Sequence, residues 1–408
     1  MNATLDKQGY KYTEEFGYIP EDWEVKTISK VTRYVDYRGK TPQKVNDGVF
    51  LITAKNIKDG YIDYDCSKEY IKLEDYDIVM SRGIPNIGDV LITTEAPYGK
   101  VAQINKNNIA LAQRVIKYSS FDYQRLNNTF LKYCFLSKSF QTNLDAIATG
   151  GTVKGIKGSI LHKQKIYLPP IKEQEKIAEV LGDVDSLIDK TQQLINKKKS
   201  LKTATMQELF TPKENWDIKK LGDIADIKDG THQTPKYVNN GIPFYSVENI
   251  TNNDFKNTKF ISLEEHEILT SKYKIEQGDI LMTRIGSIGD CKYIDWIPNA
   301  SFYVSLALLK IKESYSAKYI TQFSNTSIFK KELDDNSLPF ATPKKINLGA
   351  ISNIRIIIPK NKKEQEEIAT ILSDMDSEIE ALEKELNKYK DLKTGMMQQL
   401  LTGKVRLI

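Results

Sequence analysis

The amino-acid sequence contains one internal repeat, and this repeat restricts the possible folds more than any other feature. Trp23 is matched by Trp216, and the string Lys-Glu-Gln-Glu-x-Ile-Ala begins at Lys172 and again at Lys363. The other matches keep the same order at separations of 190 to 193 residues: Thr41-Pro42 with Thr234-Pro235, Gly48 with Gly241, Asn56-Ile57 with Asn249-Ile250, and Gly88-Asp89 with Gly278-Asp279. A period of this length predicts one structural module that is used twice.

Each module consists of two parts with different local character. The first part combines short β-type runs, such as Val49 to Ala54 and Gly278 to Arg284, with turns rich in Gly, Asn and Pro. This alternation predicts a compact, strand-rich α/β domain. The second part, residues 172–210 and 363–402, is poor in Gly and Pro and predicts two long helices. A helix of the 39 residues from 172 to 210 extends about 58 Å, longer than a domain of about 150 residues is wide.

Apolar side chains recur at alternating steps of four and three residues along both predicted helices. A 3.5-residue period predicts a seam that packs against another helix along its length. The seam positions are Ile177, Leu181, Val184 and Ile188 in the first helix, and Ile368, Leu372, Met375, Ile379, Leu382 and Leu386 in the second. Lys198 and Lys202 in the first helix and Lys393 in the second occupy polar places of the same series.

We therefore expect an α/β (α+β) fold with an internal pseudo-twofold repeat. Two strand-rich globular domains, residues 1–170 and 212–360, are joined in this prediction by the helical segments 171–211 and 361–408. Because each helix leaves an equivalent point of an equivalent domain, a pseudo-twofold axis makes the two coiled-coil helices antiparallel. The globular domains would then lie at opposite ends of a rigid spacer.

Composition and charge exclude several classes of protein. Hydrophobic residues make up 40% of the chain and charged residues 28%, values typical of a globular protein. The longest apolar runs are far shorter than the roughly 20 residues that span a bilayer, so no membrane segment is expected. Cys66, Cys134 and Cys291 are isolated in the sequence, which predicts reduced thiols and a cytoplasmic location. The net charge of +5 is too small to indicate a nucleic-acid partner by itself.

The sequence lacks the motifs that an enzyme acting on DNA or nucleotides needs. Gly39-Lys40-Thr41 resembles the end of a P-loop, but Tyr34 stands where the first glycine of that motif belongs. Glu24-Val25-Lys26 could supply part of a metal-dependent nuclease site. The second copy has Asp217-Ile218-Lys219 there, which favours an equivalent surface strand in each module. We therefore predict no catalytic residue and no metal site in this chain.

Several strings of residues together resemble the specificity subunit of type I restriction-modification enzymes. These strings are Tyr18-Ile-Pro-Glu-Asp-Trp-Glu, Asn56-Ile57-Lys-Asp-Gly, Gly88-Asp-Val-Leu-Ile-Thr and Leu168-Pro-Pro-Ile-Lys-Glu-Gln-Glu-Lys-Ile-Ala, with Gly278-Asp-Ile-Leu-Met-Thr-Arg and Lys363-Glu-Gln-Glu-Glu-Ile-Ala in the second copy. The resemblance covers nearly the whole chain. In the second copy Pro359-Lys-Asn-Lys-Lys replaces the Pro-Pro string and is one residue longer.

The resemblance implies a non-catalytic DNA-binding subunit with two target recognition domains, each reading one half of a split double-stranded DNA sequence. It also implies that two adenine-methylating modification subunits dock on the chain, and that ATP-dependent restriction subunits join through them. No cofactor is then expected in this chain, whereas S-adenosylmethionine, ATP and Mg belong to the partner subunits. The loops of the two copies differ, so the resemblance implies an asymmetric target.

Candidate DNA contacts lie in loops of both copies. Lysine suits contacts to phosphate, and the candidate lysines are Lys154, Lys157, Lys344 and Lys345. Arg284 occupies the place that Thr94 has in the first copy. An arginine there can read a guanine edge through two hydrogen bonds, although a surface ion pair would account for it equally well.

Two alternatives to a specificity subunit stay open at this point. The chain could be a stand-alone DNA nuclease or methyltransferase, or it could be a coiled-coil adaptor with two protein-binding heads. Turnover of DNA, ATP or S-adenosylmethionine by the purified chain would indicate an enzyme. A failure to bind duplex DNA in a salt-dependent manner would indicate the adaptor.

Overall fold

The computed structural model describes residues 9–37, 42–150, 154–338 and 341–408. The chain divides into two compact units. The first unit comprises the chain up to Thr191 together with Glu385–Ile408, and the second unit comprises Gln192–Lys384. Each unit therefore takes part of both long helical segments. The P-loop-like string at residues 39–41 lies outside the described residues.

The first unit is built mainly from short strands, numbered here in chain order. They are β1 (Tyr10–Thr13), β2 (Gly17–Pro20), β3 (Glu24–Thr27), β4 (Thr32–Asp36), β5 (Val49–Ile52), β6 (Tyr70–Ile71), β7 (Val90–Thr93), β8 (Val101–Gln103), β9 (Ile109–Leu111), β10 (Val115–Ser120) and β11 (Lys165–Leu168). The helices are α1 (Ile28–Val31), α2 (Tyr76–Val79), α3 (Asn128–Leu136), α4 (Lys138–Ile147), α5 (Gly158–Leu161) and the long α6 (Ile171–Leu209). A 3₁₀ turn, Leu73–Asp75, leads directly into α2.

The second unit repeats most of this series, but among the described elements it has no counterpart of the β1–β2 pair and has one additional short helix. Its strands are β12 (Trp216–Lys220), β13 (Ala225–Asp229), β14 (Ile242–Tyr245), β15 (Lys259–Ile261), β16 (Ile280–Ile285), β17 (Ser287–Tyr293), β18 (Ser301–Phe302), β19 (Leu306–Ile311) and β20 (Arg355–Pro359). Its helices are α7 (Leu221–Ile224), α8 (Val247–Thr251), α9 (Leu263–Thr270), α10 (Ala317–Phe323), α11 (Ser327–Asn336), α12 (Leu348–Asn353) and the long α13 (Lys362–Leu400). The two long helices confirm the prediction made from the Gly- and Pro-poor segments.

The two units share one sheet topology. A four-stranded antiparallel sheet has the order β4-β10-β7-β8 in the first unit and β13-β19-β16-β17 in the second. A three-stranded sheet has the order β6-β5-β9 or β15-β14-β18, and its last pair of strands is parallel in both units. A separate pair joins β3 to β11 and β12 to β20. The internal repeat is therefore a repeat of topology as well as of sequence.

The repeated Gly-Asp string forms the turn that enters the central strands β7 and β16. Gly88 and Gly278 have φ values of 90° and 98°, which glycine adopts without the steric cost of a Cβ atom. Asp89 and Asp279 accept the backbone N–H three residues upstream, at 2.9 and 2.7 Å. A lysine of the neighbouring strand pairs with each carboxylate, at 2.7 and 2.8 Å. The string thus specifies a turn and a charge pair in both units.

The long helices begin inside the cores of the two units. Ile177 and Leu181 pack with the side chains of α3 and the sheet, including Phe130, in the first unit. Ile368 and Leu372 occupy the corresponding core in the second unit. The same clusters include Leu400 of α13 in the first unit and, packed against the second, Leu209 of α6. These four predicted seam positions therefore belong to clusters that combine a strand-rich core with the other long helix.

Farther along, α6 and α13 pack together in antiparallel orientation. In the second unit Lys198 Nζ lies 2.6 Å from Glu378 Oε1, and Lys202 pairs with Asp376. Residue numbers thus rise along one helix while they fall along the other. Among the predicted seam positions, Val184, Ile379 and Leu386 are buried like the four in the cores, and Ile188, Met375 and Leu382 are half-buried.

Three smaller predictions can be compared with the described residues. Cys66, Cys134 and Cys291 are free thiols. None of the described helices is both long enough and apolar enough to cross a bilayer. The strings that begin at Glu24 and Asp217 form the surface strands β3 and β12, as the repeat predicts.

Candidate nucleic-acid interface

In the first unit the segment that carries Lys154 and Lys157 lies against the end of β7. The N–H of Ile156 donates to the carbonyl of Thr94 at 3.0 Å. On its other side, the N–H of Thr94 donates to the carbonyl of Arg114 at 2.9 Å. The predicted residues Thr94, Lys154 and Lys157 are therefore brought together by backbone hydrogen bonds.

The second unit repeats these bonds with different side chains. The N–H of Ile346 donates to the carbonyl of Arg284 at 3.0 Å, and the N–H of Arg284 donates to the carbonyl of Ser305 at 2.9 Å. Lys344 and Lys345 immediately precede Ile346 and lie beside the tip of the hairpin that β16 forms with β17. The three predicted residues of the second unit are thus also brought together.

The side chains of Thr94 and Arg284 are buried. Thr94 Oγ1 is enclosed and has no hydrogen-bond partner among the described residues. Arg284 Nη1 lies 2.7 Å from Asp229 Oδ1, while its Nε is enclosed without a partner in the described part of the chain. The ion pair that was the alternative interpretation of Arg284 is present, but it is buried and not on the surface. Asp229 ends β13, so the pair fixes the loop that follows this strand.

The lysines are placed differently from Thr94 and Arg284. Lys154, Lys157 and Lys344 are exposed, and Lys345 is half-buried. Lys154 Nζ lies 3.6 Å from the exposed Asp145, and Lys344 pairs with the exposed Asp334. Exposed pairs of this kind contribute about 0–1 kcal/mol, so a phosphate can replace either carboxylate at little cost.

The loop after β13 contributes polar groups that the sequence reasoning missed. His232 Nε2 lies 2.8 Å from Asp229 Oδ2, and the hydroxyl of Tyr273 donates to the backbone carbonyl of Asp229. Asp229, Thr231 and Tyr273 line a cavity of about 200 Å³ beside this loop. Asp36 and Asp229 match at a separation of 193 residues, and this match is the signal that could have identified Asp229.

Arg114 is the corresponding omission in the first unit. Its backbone has φ of 72°, its carbonyl holds Thr94, and its exposed guanidinium Nε lies 3.8 Å from Glu95 Oε2. The repeat pairs Arg114 with Ser305, so the position carries a cation in one unit only. Comparison of the strands that flank Thr94 and Arg284 would have identified this difference.

The repeated Lys-Glu-Gln-Glu string joins each strand-rich part to its long helix. Trp23 Nε1 donates to Glu173 at 3.0 Å, and Trp216 Nε1 donates to Glu364 at 3.2 Å. A cation also pairs with each glutamate: Arg406 Nε with Glu173 Oε1 at 2.7 Å, and Lys213 Nζ with Glu364 Oε1 at 2.9 Å. The glutamate therefore connects the first turn of the helix to the tryptophan of the same module.

The glutamine of the same string adds a second connection. Gln174 Oε1 accepts the N–H of Asn127 at 3.0 Å, and its Nε2 donates to the carbonyl of Pro169 at 2.8 Å. Gln365 makes the same two bonds in the second unit, at 2.8 and 2.7 Å. Both glutamine side chains are fully buried. Each buried amide thus has partners on both sides, as burial of a polar group requires.

A cluster of charged groups lies where α3 meets the two long helices in the first unit. Asp185 on α6 contacts Lys393 Nζ of α13 at 2.6 Å, Lys132 Nζ at 3.3 Å and the hydroxyl of Tyr133 at 2.7 Å. Burial alone would raise the pKa of Asp185, but the two ammonium groups and the phenol hold this pKa below its usual value. Burial lowers the pKa of Lys132 and raises that of Asp189, whose carboxyl also faces the charge of Asp185.

The second unit has a simpler version of this charged cluster. Asp376 on α13 pairs with Lys202 of α6, and Gln322 Nε2 donates to Asp376 Oδ2 at 3.0 Å. The N-caps of α3 and α10, Asn127 and Ser316, match at a separation of 189 residues. Gln322 therefore occupies the position of Tyr133 in the repeat, and Thr321 occupies that of Lys132. The predicted polar seam positions Lys202 and Lys393 are therefore equivalent residues, each of which pairs with an aspartate of the other long helix.

No arrangement of side chains in the described residues suggests a metal centre. Within residues 9–37, 42–150, 154–338 and 341–408, no group of three or more His, Cys, Asp or Glu side chains is placed to hold a metal ion. Burial raises the pKa of Cys134 and of Cys291, the latter to about 12, so neither thiol is activated as a nucleophile. The exposed loop lysines, by contrast, are suited to contacts with phosphate.

Known proteins are similar to this chain in sequence or in fold over nearly their whole length. The type I restriction enzyme MjaVIII specificity subunit of Methanocaldococcus jannaschii is 25% identical, over 95% of this chain and 94% of the relative. The EcoKI specificity subunit of Escherichia coli is 22% identical, over 96% of this chain and 90% of the relative. The crystal structure of the type I restriction-modification S subunit from M. genitalium superposes with a TM-score of 0.65 at 17% identity, over 93% of this chain and 96% of that one.

The family model gives the decisive match. The model for the type I restriction modification DNA specificity domain matches residues 20–199 and again residues 213–389, once for each copy of the repeat. Both matches include the strand-rich part and the start of the long helix that follows it. The chain therefore belongs to the family of type I restriction-modification DNA specificity subunits.

Proposed function

We propose that residues 1–170 and 212–360 are two target recognition domains, each of which reads one half of a split, asymmetric double-stranded DNA target. The observation that carries this proposal is the repeated backbone frame around the buried Thr94 and Arg284. Beside this frame the two units expose different side chains, such as Lys157 and its counterpart Asn347. Base discrimination depends on side chains, whereas phosphate contacts fix orientation. A common frame with unlike side chains therefore suits two half-sites of unlike sequence.

Within this proposal the exposed lysines contact phosphate. Lys154 and Lys344 occupy equivalent positions, at a separation of 190 residues, and both are exposed. Lys157 is matched by Asn347 and Gly155 by Lys345, so the charge around the frame differs between the units. Arg284 holds the Asp229 loop and acts on the half-site either directly or through that loop.

Subunits of this family are non-catalytic, and catalysis lies in their partner subunits. We propose that the helical segments 171–211 and 361–408 hold two modification subunits and, through them, restriction subunits. S-adenosylmethionine, ATP and Mg then bind to these partners. A second solved structure, from a study of complex assembly and conformational transition of the type I R-M system, superposes with a TM-score of 0.51 at 18% identity. Because the target is cellular DNA, the proposed site of action is the cytoplasm.

The decisive experiment is a map of methylated adenines in DNA from cells with and without the gene. We expect a gene-dependent signal at a bipartite, non-palindromic sequence with a fixed gap. A palindromic target would contradict the proposed asymmetry of the two half-sites, and no gene-dependent methylation would contradict the scaffold role. Turnover of DNA or ATP by the purified chain alone would indicate the enzyme alternative.

A further inference from the structure

Each unit exposes two large apolar side chains at equivalent positions of one short acidic segment. The exposed fractions are 76% for Leu73, 62% for Ile78, 59% for Leu263 and 73% for Ile268. Leu73 and Ile78 belong to the 3₁₀ turn and α2, and Leu263 and Ile268 belong to α9. We call residues 73–78 and 263–268 the acidic turns, because three of the six residues in each are carboxylates: Glu74, Asp75, Asp77, Glu264, Glu265 and Glu267.

The exposure of these apolar side chains is a feature of the module and not of one unit. From residue 73 to 79 and from 263 to 269, the pattern of exposed and half-buried residues is the same. Both turns follow a fully buried isoleucine, Ile71 or Ile261, that fixes them to a strand. The repeat thus holds a leucine and an isoleucine in solvent twice, on a fixed backbone.

Other exposed apolar residues of the first unit are not repeated. Ile84 and Ile87 are also exposed, but their counterparts in the second unit are Lys274 and Gln277. Polar side chains can therefore occupy exposed sites of the same segment without loss of the fold. Single exposed apolar residues are common, whereas a matched pair in two otherwise divergent copies indicates a surface that is covered by a partner.

The negative charge of the acidic turns indicates what kind of partner could bind there. Lys72 Nζ lies 3.3 Å from Glu74 Oε1 in the first unit, and Ile268 lines the cavity beside the Asp229 loop together with Lys272 and Lys274 in the second. Each turn still carries more carboxylates than adjoining cations, and this excess repels the phosphate backbone, which disfavours DNA as the occupant. Pairing of one acidic turn with that of a second copy would place like charges together, which is costly at an interface. The complementary surface is an apolar pocket bordered by Lys or Arg on a different protein. Two equivalent surfaces on one chain suit two copies of the same protein.

We propose that each acidic turn is a docking surface for one copy of the modification subunit, with Leu73 and Ile78 or Leu263 and Ile268 as the apolar contacts. This inference rests on the proposed scaffold function and adds to it a surface outside the long helices. In such an interface the leucine and isoleucine would fill the apolar centre of the partner's pocket, and the carboxylates would contact basic residues at its rim. A few buried central residues usually contribute most of the affinity of an interface of this kind.

The test is to co-express the full chain with the modification subunit of the same system and to count bound copies by native mass spectrometry. The variants are Leu73→Ser with Ile78→Ser, and Leu263→Ser with Ile268→Ser. Each pair should weaken the binding of one copy about tenfold or more, which leaves complexes with a single modification subunit. The matched control, Ile84→Ser with Ile87→Ser, should keep two copies because these exposed residues are not part of the repeated pair.

Charge reversal provides a second, independent variant. Glu264→Lys with Glu267→Lys changes only exposed side chains, and it should also remove one copy. Parental loading in all apolar and charge variants would overturn the inference while leaving the scaffold function intact. A fall in DNA affinity at unchanged loading would overturn it as well, because the turns would then contact DNA. Failure of the parent chain to bind any modification subunit would instead refute the scaffold function on which the inference depends.

Discussion

The charged cluster around Asp185 makes a quantitative prediction about the first unit. The substitution Asp185→Asn removes the carboxylate that Lys132 and Lys393 both face, at 3.3 and 2.6 Å. The side chain of Lys132 is only 9% exposed, so its ammonium group would lose its counterion in a poorly hydrated site. Removal of one partner of a buried pair costs about 3–5 kcal/mol, and the partial exposure of Asp185 reduces the expected loss to about 2–3 kcal/mol.

The second unit supplies the matched control, Asp376→Asn. Thr321 takes the place of Lys132 there, so only Lys202 loses a counterion. The expected loss for this half-exposed pair is about 1 kcal/mol or less. The chain contains two compact units, so local hydrogen exchange is a better measure than a single unfolding curve.

Hydrogen–deuterium exchange of peptides from α3 and α10 therefore provides the assay. In Asp185→Asn the slow amides of α3 should exchange about 30-fold to 140-fold faster, which corresponds to 2–3 kcal/mol. The additional substitution Lys132→Gln should restore most of the protection, because it removes the more buried of the two unpaired charges: the side chain of Lys132 is 9% exposed and that of Lys393 is 18% exposed. Equal effects of Asp185→Asn and Asp376→Asn on their own units, or no recovery with Lys132→Gln, would refute the reasoning.

Three further predictions follow from the same structure. The pKa of Asp185 lies below the usual 3.8. Its contribution to stability is therefore complete above about pH 3.8 and is lost as the pH falls through the lowered pKa. Hydrogen exchange of α3, measured as the pH is lowered, should show this loss in the parent and not in Asp185→Asn. Arg284→Ala should relax one base position, by about 1–3 kcal/mol, in the half-site read by residues 212–360 and leave the other half-site unchanged in a methylation map. The variant Asp229→Asn keeps the guanidinium of Arg284 but removes its ion pair, so it distinguishes direct base reading by Arg284 from positioning of the loop after β13. An unchanged methylation map in both variants would exclude Arg284 from DNA recognition. A seven-residue insertion between Lys197 and Leu201, with a matching insertion in α13, should lengthen the gap between the two half-sites by about 3 base pairs, because seven helical residues rise about 10 Å. An unchanged gap would contradict the role of the helices as a spacer.

Features that depend on periodicity could be predicted from the sequence. The long helices begin at Ile171 and Lys362, one residue from the expected starts, because a Gly- and Pro-poor segment with an apolar seam has few alternative structures. The common topology of the two units was implied by the order of the matched turns. Local chain chemistry decides these features, and the sequence contains it directly.

Features that depend on contacts between distant segments could not be predicted. Thr94 and Arg284 are buried because the segments that precede Ile156 and Ile346 pair with them, and no local pattern encodes this pairing. Ile177, Leu181, Ile368 and Leu372 pack in the strand-rich cores as well as in clusters with the other long helix, and an apolar stripe does not specify all the surfaces that cover it. Nothing in the sequence indicated that the first unit combines the residues up to Thr191 with Glu385–Ile408.

The combination of these two segments in one unit limits the order in which the protein can fold during translation. The first unit requires Glu385–Ile408, and it contains Leu400, Leu401 and the Arg406 that pairs with buried Glu173. Ribosomes add about 5–20 residues per second, so the 217 residues from 192 to 408 take about 10–40 s to synthesise after Thr191. The nascent first unit is incomplete throughout this interval, with an apolar surface uncovered. Gln192–Lys384 is therefore the first unit that can close, and loss of Glu385–Ile408 damages the unit whose strands are synthesised before it.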